Sequence, residues 1–377
     1  MSSGVLSTVI QPDKHHDHTF SASQQHKFTM ERNYREPNPC KWEGVQCTGS
    51  SITHLSLSRF GLSTSELLPV VCNIGSLQAL DVSNNPNDFI TTCGEIDGFK
   101  LLNFSRNRLV GSLPTFHGFV GLEYLDLSYN NLDGEIGRLE LDELVSLKSL
   151  NLSRNLFVGS IPTNLGKSKT LEQLELSVNN FSGIIPNQIA DFGNLTLIDL
   201  SVNRLSGSIP DRIGELSKLE VLILSANNLS GGIPANLSRF AANQNNFSGQ
   251  IPAGLTGYLK NLDLSYNNLS GLIPTELLSQ PNLQTVDLSF NLLEGTIPKD
   301  ISSSLVRLRL GSNSLSGEIL SIKWATLGQL TYLELENNSF TGMIPQQLGS
   351  CQHLTLLNLA QNNLTGSRVW CICFRQF

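Results

Sequence analysis

The feature that most constrains this chain is an asparagine that returns at near-constant intervals. It stands at Asn85, Asn107, Asn130, Asn155, Asn179, Asn203, Asn227, Asn245, Asn267, Asn291, Asn313, Asn338 and Asn362. Phe60 takes its place in a degenerate first unit, so about fourteen units share one register. Most intervals are 22 to 25 residues. Apolar residues keep fixed offsets from it. One unit carries Leu122, Leu125, Leu127, Asn130, Leu132, Gly134 and Ile136; the next carries Leu147, Leu150, Leu152, Asn155, Phe157, Gly159, Ile161 and Pro162. Self-similarity at such a period means a stack of like units rather than a series of globular domains.

Each position in the unit has a physical task. The Leu-x-Leu core alternates in and out, as a short strand with one buried face must. Consecutive strands are expected to stack in parallel, about 4.8 Å apart, into a concave sheet. The asparagine sits in the following turn and bonds backbone groups that the turn leaves unpaired. The Gly-x-Ile-Pro stretch then turns the chain along the convex side, glycine allowing the tight backbone and proline ending strand pairing. The expectation is an α/β-type solenoid, a right-handed superhelix with a parallel concave sheet and Gly-x-Ile-Pro convex turns. One interval is short: Asn227 to Asn245 is 18 residues, and about six residues of the return path are missing around Ile233–Phe240. A purposeful kink and a tolerated deletion or splice error both account for it.

The ends differ from the middle. Residues 1–36 form a polar tail holding His15, His16, His18 and His26, expected to be solvated and disordered rather than metal-binding. Residues 37–50 contain Cys40 and Cys47, seven apart with Trp42 between them, which suits a disulfide-stapled cap over the apolar flank of the first unit. The repeats run over 51–366, and 367–377 is a non-repeat tail that reads as a truncation. Cys72 and Cys93 either form a second bridge or stay apart, and Cys351 reads as a small buried hydrophobe. Seven cysteines is an odd count, so at least one stays free or pairs between chains. Residues 1–30 do not read as a secretory signal, and no run of 18 apolar residues suggests a membrane span.

Catalytic chemistry is not written in this chain. There is no Gly-rich phosphate loop, His-Glu-x-x-His zinc motif, Gly-x-Ser-x-Gly elbow or kinase signature. His54, His117 and His353 fall in different repeats, and Cys371 and Cys373 are one residue apart in the ragged tail. The expectation is a binding scaffold, not an enzyme, with no cofactor and no metal. A formal charge of −7 provides no basic field to displace counterions from phosphate, so nucleic acid is not an expected partner. Glycosylation acceptors are frequent instead: Asn103, Asn151, Asn180, Asn194, Asn228, Asn236, Asn246, Asn268, Asn337 and Asn363 each begin Asn-x-Ser/Thr. Asn180, Asn228, Asn246, Asn268 and Asn363 directly follow a ladder asparagine, so the repeat pattern itself generates them. Together with the paired cysteines they agree with a secreted setting.

The unit Leu-x-x-Leu-x-Leu-Ser-x-Asn-x-Leu-x-Gly-x-Ile-Pro, almost intact from Leu219 to Pro234, resembles the plant-specific leucine-rich repeat. Cys40-Lys-Trp-Glu-Gly-Val-Gln-Cys47 resembles the N-terminal cap of plant receptor-like kinases and receptor-like proteins. The resemblance covers residues 37–366. It implies an extracellular ectodomain at the plasma membrane that senses a secreted peptide or protein ligand, with a co-receptor of shorter leucine-rich-repeat ectodomain. In that family the ectodomain precedes a membrane span and often a serine/threonine kinase. The chain carries neither, and reads as part of such a receptor. The alternative is a secreted scaffold of the polygalacturonase-inhibitor type, binding a protein partner.

The expected binding surface is the set of x positions in Leu-x-Leu. Its central column reads Asp126, Asn151, Glu175, Asp199, Ile223, Ala241, Asp263, Asp287, Arg309, Glu334 and Asn358, mostly acidic. Just before ladder asparagines stand Tyr129, Tyr266 and Phe290, which are either ligand platforms or stacked on their neighbours. Arg307 and Arg309 lie two apart on one strand, so both point the same way. Arg-x-Arg at this place resembles the pair with which some plant peptide-hormone receptors hold a ligand's C-terminal carboxylate, a task guanidinium suits. Tyr332, one strand on, is expected to line the same pocket. The competing reading pairs the two arginines with Asp287 and Glu334.

Overall fold

The computed structural model describes residues 37–61, 71, 73–85, 98–113, 116, 118–136, 144–163, 169–234, 237, 240–253, 255, 260–319 and 322–366. The two tails, Cys72, Cys93, Cys371, Cys373, His117 and Asn236 lie outside the described residues. The chain divides into two compact units, Met1–Phe181 and Ser182–Phe377.

In the first unit the Leu-x-Leu cores form Ser51–Ser56, Ala79–Asp81, Leu101–Asn103, Tyr124–Asp126, Ser149–Asn151 and Gln173–Glu175. Each pairs in parallel with the next, with the middle leucines Leu55, Leu80, Leu102, Leu125, Leu150 and Leu174 in one register. All six are buried, so the alternation read from the sequence is the alternation of the sheet. Val45–Thr48 lies antiparallel on Ser51–Ser56 and covers the sheet's open edge, which would otherwise expose unpaired backbone groups. A 3-10 turn, Pro39–Lys41, starts this cap; the Asn38 side chain accepts the Cys40 N–H at 3.0 Å, and Cys40 is disulfide-bonded to Cys47.

In the second unit the same cores form Leu197–Asp199, Val221–Ile223, Phe240–Ala241, Asn261–Asp263, Thr285–Asp287, Arg307–Arg309, Tyr332–Glu334 and Leu356–Asn358. They too pair in parallel, strand by strand. The short repeat supplies the two-residue strand Phe240–Ala241, which still pairs on both sides. Asn245 keeps its bonds to Leu224 O, Ala242 O and Asn243 O. The short interval therefore keeps both the strand and the asparagine turn.

The asparagines hold successive turns together. Asn130 donates Nδ2–H to Leu127 O and Ser128 O in its own turn and to Phe104 O of the preceding repeat, while its Oδ1 accepts Leu109 N–H. Asn291 does the same with Leu288 O, Ser289 O, Leu264 O and Leu269 N–H. Both side chains are buried with every polar atom satisfied. The residue before each asparagine takes a left-handed backbone, φ near +55°, which turns the chain without a glycine.

After the asparagine a second strand follows in most repeats, for example Asn268–Leu272, Leu292–Gly295 and Ser314–Glu318, again paired in parallel. The repeat glycine lies at or next to its end. Gly295 has φ +77°, and a methyl there would run into the Leu272 side chain of the preceding repeat. In three of the described return paths prolines Pro186, Pro210 and Pro345 open short 3-10 turns, Asn187–Asp191, Asp211–Glu215 and Gln346–Ser350, each burying one side chain. The expected solenoid is a β-solenoid with almost no helix among the described residues, since each of these turns is only five residues long, a single tight 3-10 turn. Trp324, the first residue of a further 3-10 turn Trp324–Thr326, is buried and donates Nε1–H to Ile319 O at 2.8 Å. Cys351 is buried against Trp324 O, and that burial pushes its thiol pKa up.

Candidate ligand-binding site

The acidic column has a backbone task. Asp81, Asp126, Asp199, Asp263 and Asp287 each accept, through Oδ1, the N–H two residues on, at 2.9–3.1 Å. Asn103 and Asn151 do the same for Ser105 and Ser153. This short side-chain loop fixes the exit from each of these strands, so Asp or Asn two residues before the serine follows from local structure and needs no ligand. Burial pushes the Asp263 carboxyl above its usual range, against two bonds from Ser265 that pull it down.

The arginine strand Arg307–Arg309 buries Leu308 and leaves both arginines exposed on one face. Their surroundings differ. Arg309 donates from Nε to Glu334 Oε1 at 2.8 Å and from one terminal nitrogen to Asp287 Oδ2 at 3.3 Å, its register partners on the flanking strands. The bond to Glu334 leads in holding its guanidinium pKa above the ordinary value. For Arg309 the competing reading from the sequence is the one realised. Arg307 does not follow it. Its guanidinium lies 4.6 Å over the Tyr332 ring, and among the described residues no carboxylate is within ion-pair distance of it. Stacking occupies the face of the guanidinium and leaves its in-plane N–H donors open.

The exposed aromatics are organised too. Tyr266 and Phe290 occupy equivalent left-handed turn positions in adjacent repeats and stack at 4.2 Å, 10° from parallel, each close to half exposed. Tyr129 holds the same turn position in the first unit, between Arg106 and Arg154 rather than beside another ring. These two arginines escaped the sequence reading. The signal was present, because they precede ladder asparagines in the repeats on either side of Tyr129, but it shows only when the repeats are aligned and read down the column.

Among the sequence's glycosylation acceptors, Asn228, Asn246, Asn268, Asn337 and Asn363 are exposed, while Asn103, Asn151, Asn180 and Asn194 are half-buried. His54 and His353 lie in different units. Among the described residues no helix is long and apolar enough to cross a membrane.

The leucine-rich-repeat family model matches residues 121–139, 146–168, 170–192, 194–216, 218–240, 258–279, 282–303 and 329–351. The structure of the Arabidopsis receptor kinase HAESA, in complex with the peptide hormone IDA and the co-receptor SERK1, is similar over 92% of this chain and 72% of that one, at 30% identity and TM-score 0.61. The chain belongs to the plant leucine-rich-repeat receptor family. Receptor-like protein 7 of Arabidopsis thaliana is 30% identical over 135 residues, 30% of this receptor-family chain and 12% of the relative's length. This chain thus matches only a small part of that curated relative. The repeat architecture also reaches beyond plants: a leucine-rich-repeat protein of Leptospira interrogans is similar over 81% of this receptor-family chain and 77% of its own, at 27% identity and TM-score 0.64.

Proposed function

We propose that the chain is the ligand-recognition part of a plant receptor, and that it takes a secreted peptide by its free C-terminal carboxylate at Arg307. The observation that carries this reading is the contrast within one strand. Arg309 is committed to Asp287 and Glu334, whereas Arg307 is held in place by Tyr332 with its donors unused. A guanidinium fixed by stacking loses little freedom when it forks onto a carboxylate. Arg309, braced by two acids, keeps the strand's charge balanced and sets where the ligand's last residues lie. The stacked Tyr266–Phe290 pair supplies an apolar platform for a ligand side chain. HAESA, similar over most of this chain, is itself bound to a peptide hormone and a co-receptor, which supports a peptide ligand and a co-receptor here. The Cys40–Cys47 bridge and the exposed glycosylation acceptors support an extracellular location, at the membrane or secreted.

The test is a display screen of short peptides in matched pairs, free acid and C-terminal amide, against the chain and its Arg307→Ala/Arg309→Ala variant. Free acids should be enriched on the chain, and the double variant should bind them at least tenfold more weakly. Enrichment indifferent to the terminus would remove Arg307 and Arg309 as the carboxylate site, and failure to enrich any peptide would count against a peptide ligand.

A further inference from the structure

The first unit carries a second row of open guanidinium groups, on the rim formed by the residue before each ladder asparagine. In successive repeats this residue is Arg59, Asn84, Arg106, Tyr129 and Arg154. One backbone ladder joins them: Arg59, Asn84, Arg106, Tyr129 and Arg154 donate their N–H groups to Ser83 O, Ser105 O, Ser128 O, Ser153 O and Ser177 O at 2.8–3.1 Å. All five share the left-handed backbone, with φ between +54° and +64°, so their side chains leave the rim at equivalent positions. The Tyr129 ring lies between two arginines, with Arg106 Cζ 4.5 Å and Arg154 Cζ 4.7 Å from its centroid.

Two properties of this row point to a ligand. The first is unused hydrogen-bonding capacity. Among the described residues none of Arg59, Arg106 and Arg154 is ion-paired; the acid Glu123 in the same unit is taken by Lys100 and Lys148. The exposed arginines are therefore open in a chain whose net charge is −7. Tyr129 takes one face of Arg106 and of Arg154, and leaves their in-plane forks free for an anion. The second is pitch. The three arginines stand on alternate strands, so they are spaced by two strand separations, about 9.6 Å. A polyproline II helix has three residues per turn and rises about 3.1 Å per residue, so every third side chain falls on one face about 9.3 Å apart. A β-extended segment does not match, because residues three apart point to opposite sides.

We propose that the Arg59–Arg106–Arg154 row is a docking site for an acidic polyproline II segment of a partner protein, with a carboxylate at every third residue. This surface is separate from the Arg307 site, and it stands or falls independently of the peptide reading given for that site. Each carboxylate takes one guanidinium fork, and Tyr129 sets the distance between two of them.

The probe is acetyl-Glu-Pro-Pro-Glu-Pro-Pro-Glu-amide, titrated calorimetrically into the full chain at low salt. A peptide of the same composition with its three glutamates contiguous serves as the register control. The spaced peptide should bind at least tenfold more tightly than the clustered one. Arg106→Gln/Arg154→Gln should remove that advantage, and Arg106→Lys/Arg154→Lys should weaken it, since lysine keeps charge but loses the fork. Tyr129→Ala should weaken binding with all three charges in place. Circular dichroism should show every variant folded, because the substituted side chains are exposed. Equal affinity for spaced and clustered peptides would reduce the row to unspecific charge attraction and overturn the proposal. So would an unchanged affinity in the glutamine variant, no detectable binding, or a linear oligouronate that binds more tightly than the spaced peptide.

Discussion

Both units place arginine on an exposed surface beside an aromatic ring, but they hold it differently. In the first unit Arg106 and Arg154 are positioned by Tyr129 through their flat faces, and among the described residues no carboxylate takes their donors. In the second unit Arg309 is positioned by Asp287 and Glu334, which use the donors themselves, while Arg307 alone is held from its face by Tyr332. An arginine fixed by a ring is oriented and available; one fixed by acids is oriented and spent. Counting exposed arginines does not reveal which is which, since all of them are exposed. The acids differ as well. Glu123 in the first unit bonds two lysines, and Asp263 in the second is half-buried near Asp287.

The comparison presupposes that one framework carries both surfaces. Asn130→Ala in the first unit and Asn291→Ala in the second should each lower stability by about 1–3 kcal/mol, from backbone groups left without partners. Urea unfolding of each variant measures this. A neutral result in either unit would mean that its turns are held by something other than the asparagines.

A smaller effect separates spent from available arginines. Arg309→Ala should destabilise by about 0.2–1 kcal/mol, the range of solvent-screened pairs, because two carboxylates lose their counter-charge. Arg106→Ala should stay within about 0.5 kcal/mol of the parent, as surface substitutions do. If the two changes cost the same in thermal melts, the distinction between ring-held and acid-held arginine has no energetic content.

The smallest effect lies in the carboxyl titrations. Glu123 should titrate below its usual 4.5, chiefly because of its bond to Lys148. Asp263 should titrate above its usual 3.8, chiefly because of burial. The signs differ accordingly. Stability contributed through Glu123 is present above its unfolded pKa and lost as pH falls through its lower folded value. Stability linked to Asp263 is present below its unfolded pKa and lost as pH rises through its higher folded value. Carbon-detected NMR titration of the two side chains would show the shifts, and shifts of the same sign would erase this difference between the units.

The framework was legible in the sequence because each repeat position answers to one local demand. The asparagine at 130 or 291 satisfies its turn, and the leucine at 125 or 308 fills the core, wherever in the stack it stands. The return path was less legible. Ile-Pro marks its start, but whether the following residues coil into an α-helix or a single 3-10 turn depends on how neighbouring paths pack, as at Asn187–Asp191 and Asp211–Glu215. Of the candidate site, the shared face of Arg307 and Arg309 follows from strand alternation alone. Their unequal partners do not, because Asp287 and Glu334 stand beside Arg309 in register while Thr285 and Tyr332 stand beside Arg307. Reading down the repeats, rather than along one strand, makes that inequality visible, and the same reading brings Arg106, Tyr129 and Arg154 together.

The most direct test of the central claim, that Arg307 is the available fork and Arg309 the spent one, is a two-by-two binding cycle. A peptide that binds the chain is measured by calorimetry as free acid and as C-terminal amide, against the parent and against Arg307→Ala. Amidation should weaken binding to the parent at least tenfold, about 1.4 kcal/mol, and should make almost no difference to Arg307→Ala, which has already lost the group that reads the carboxylate. An amidation penalty of equal size in the parent and in Arg307→Ala would contradict the account.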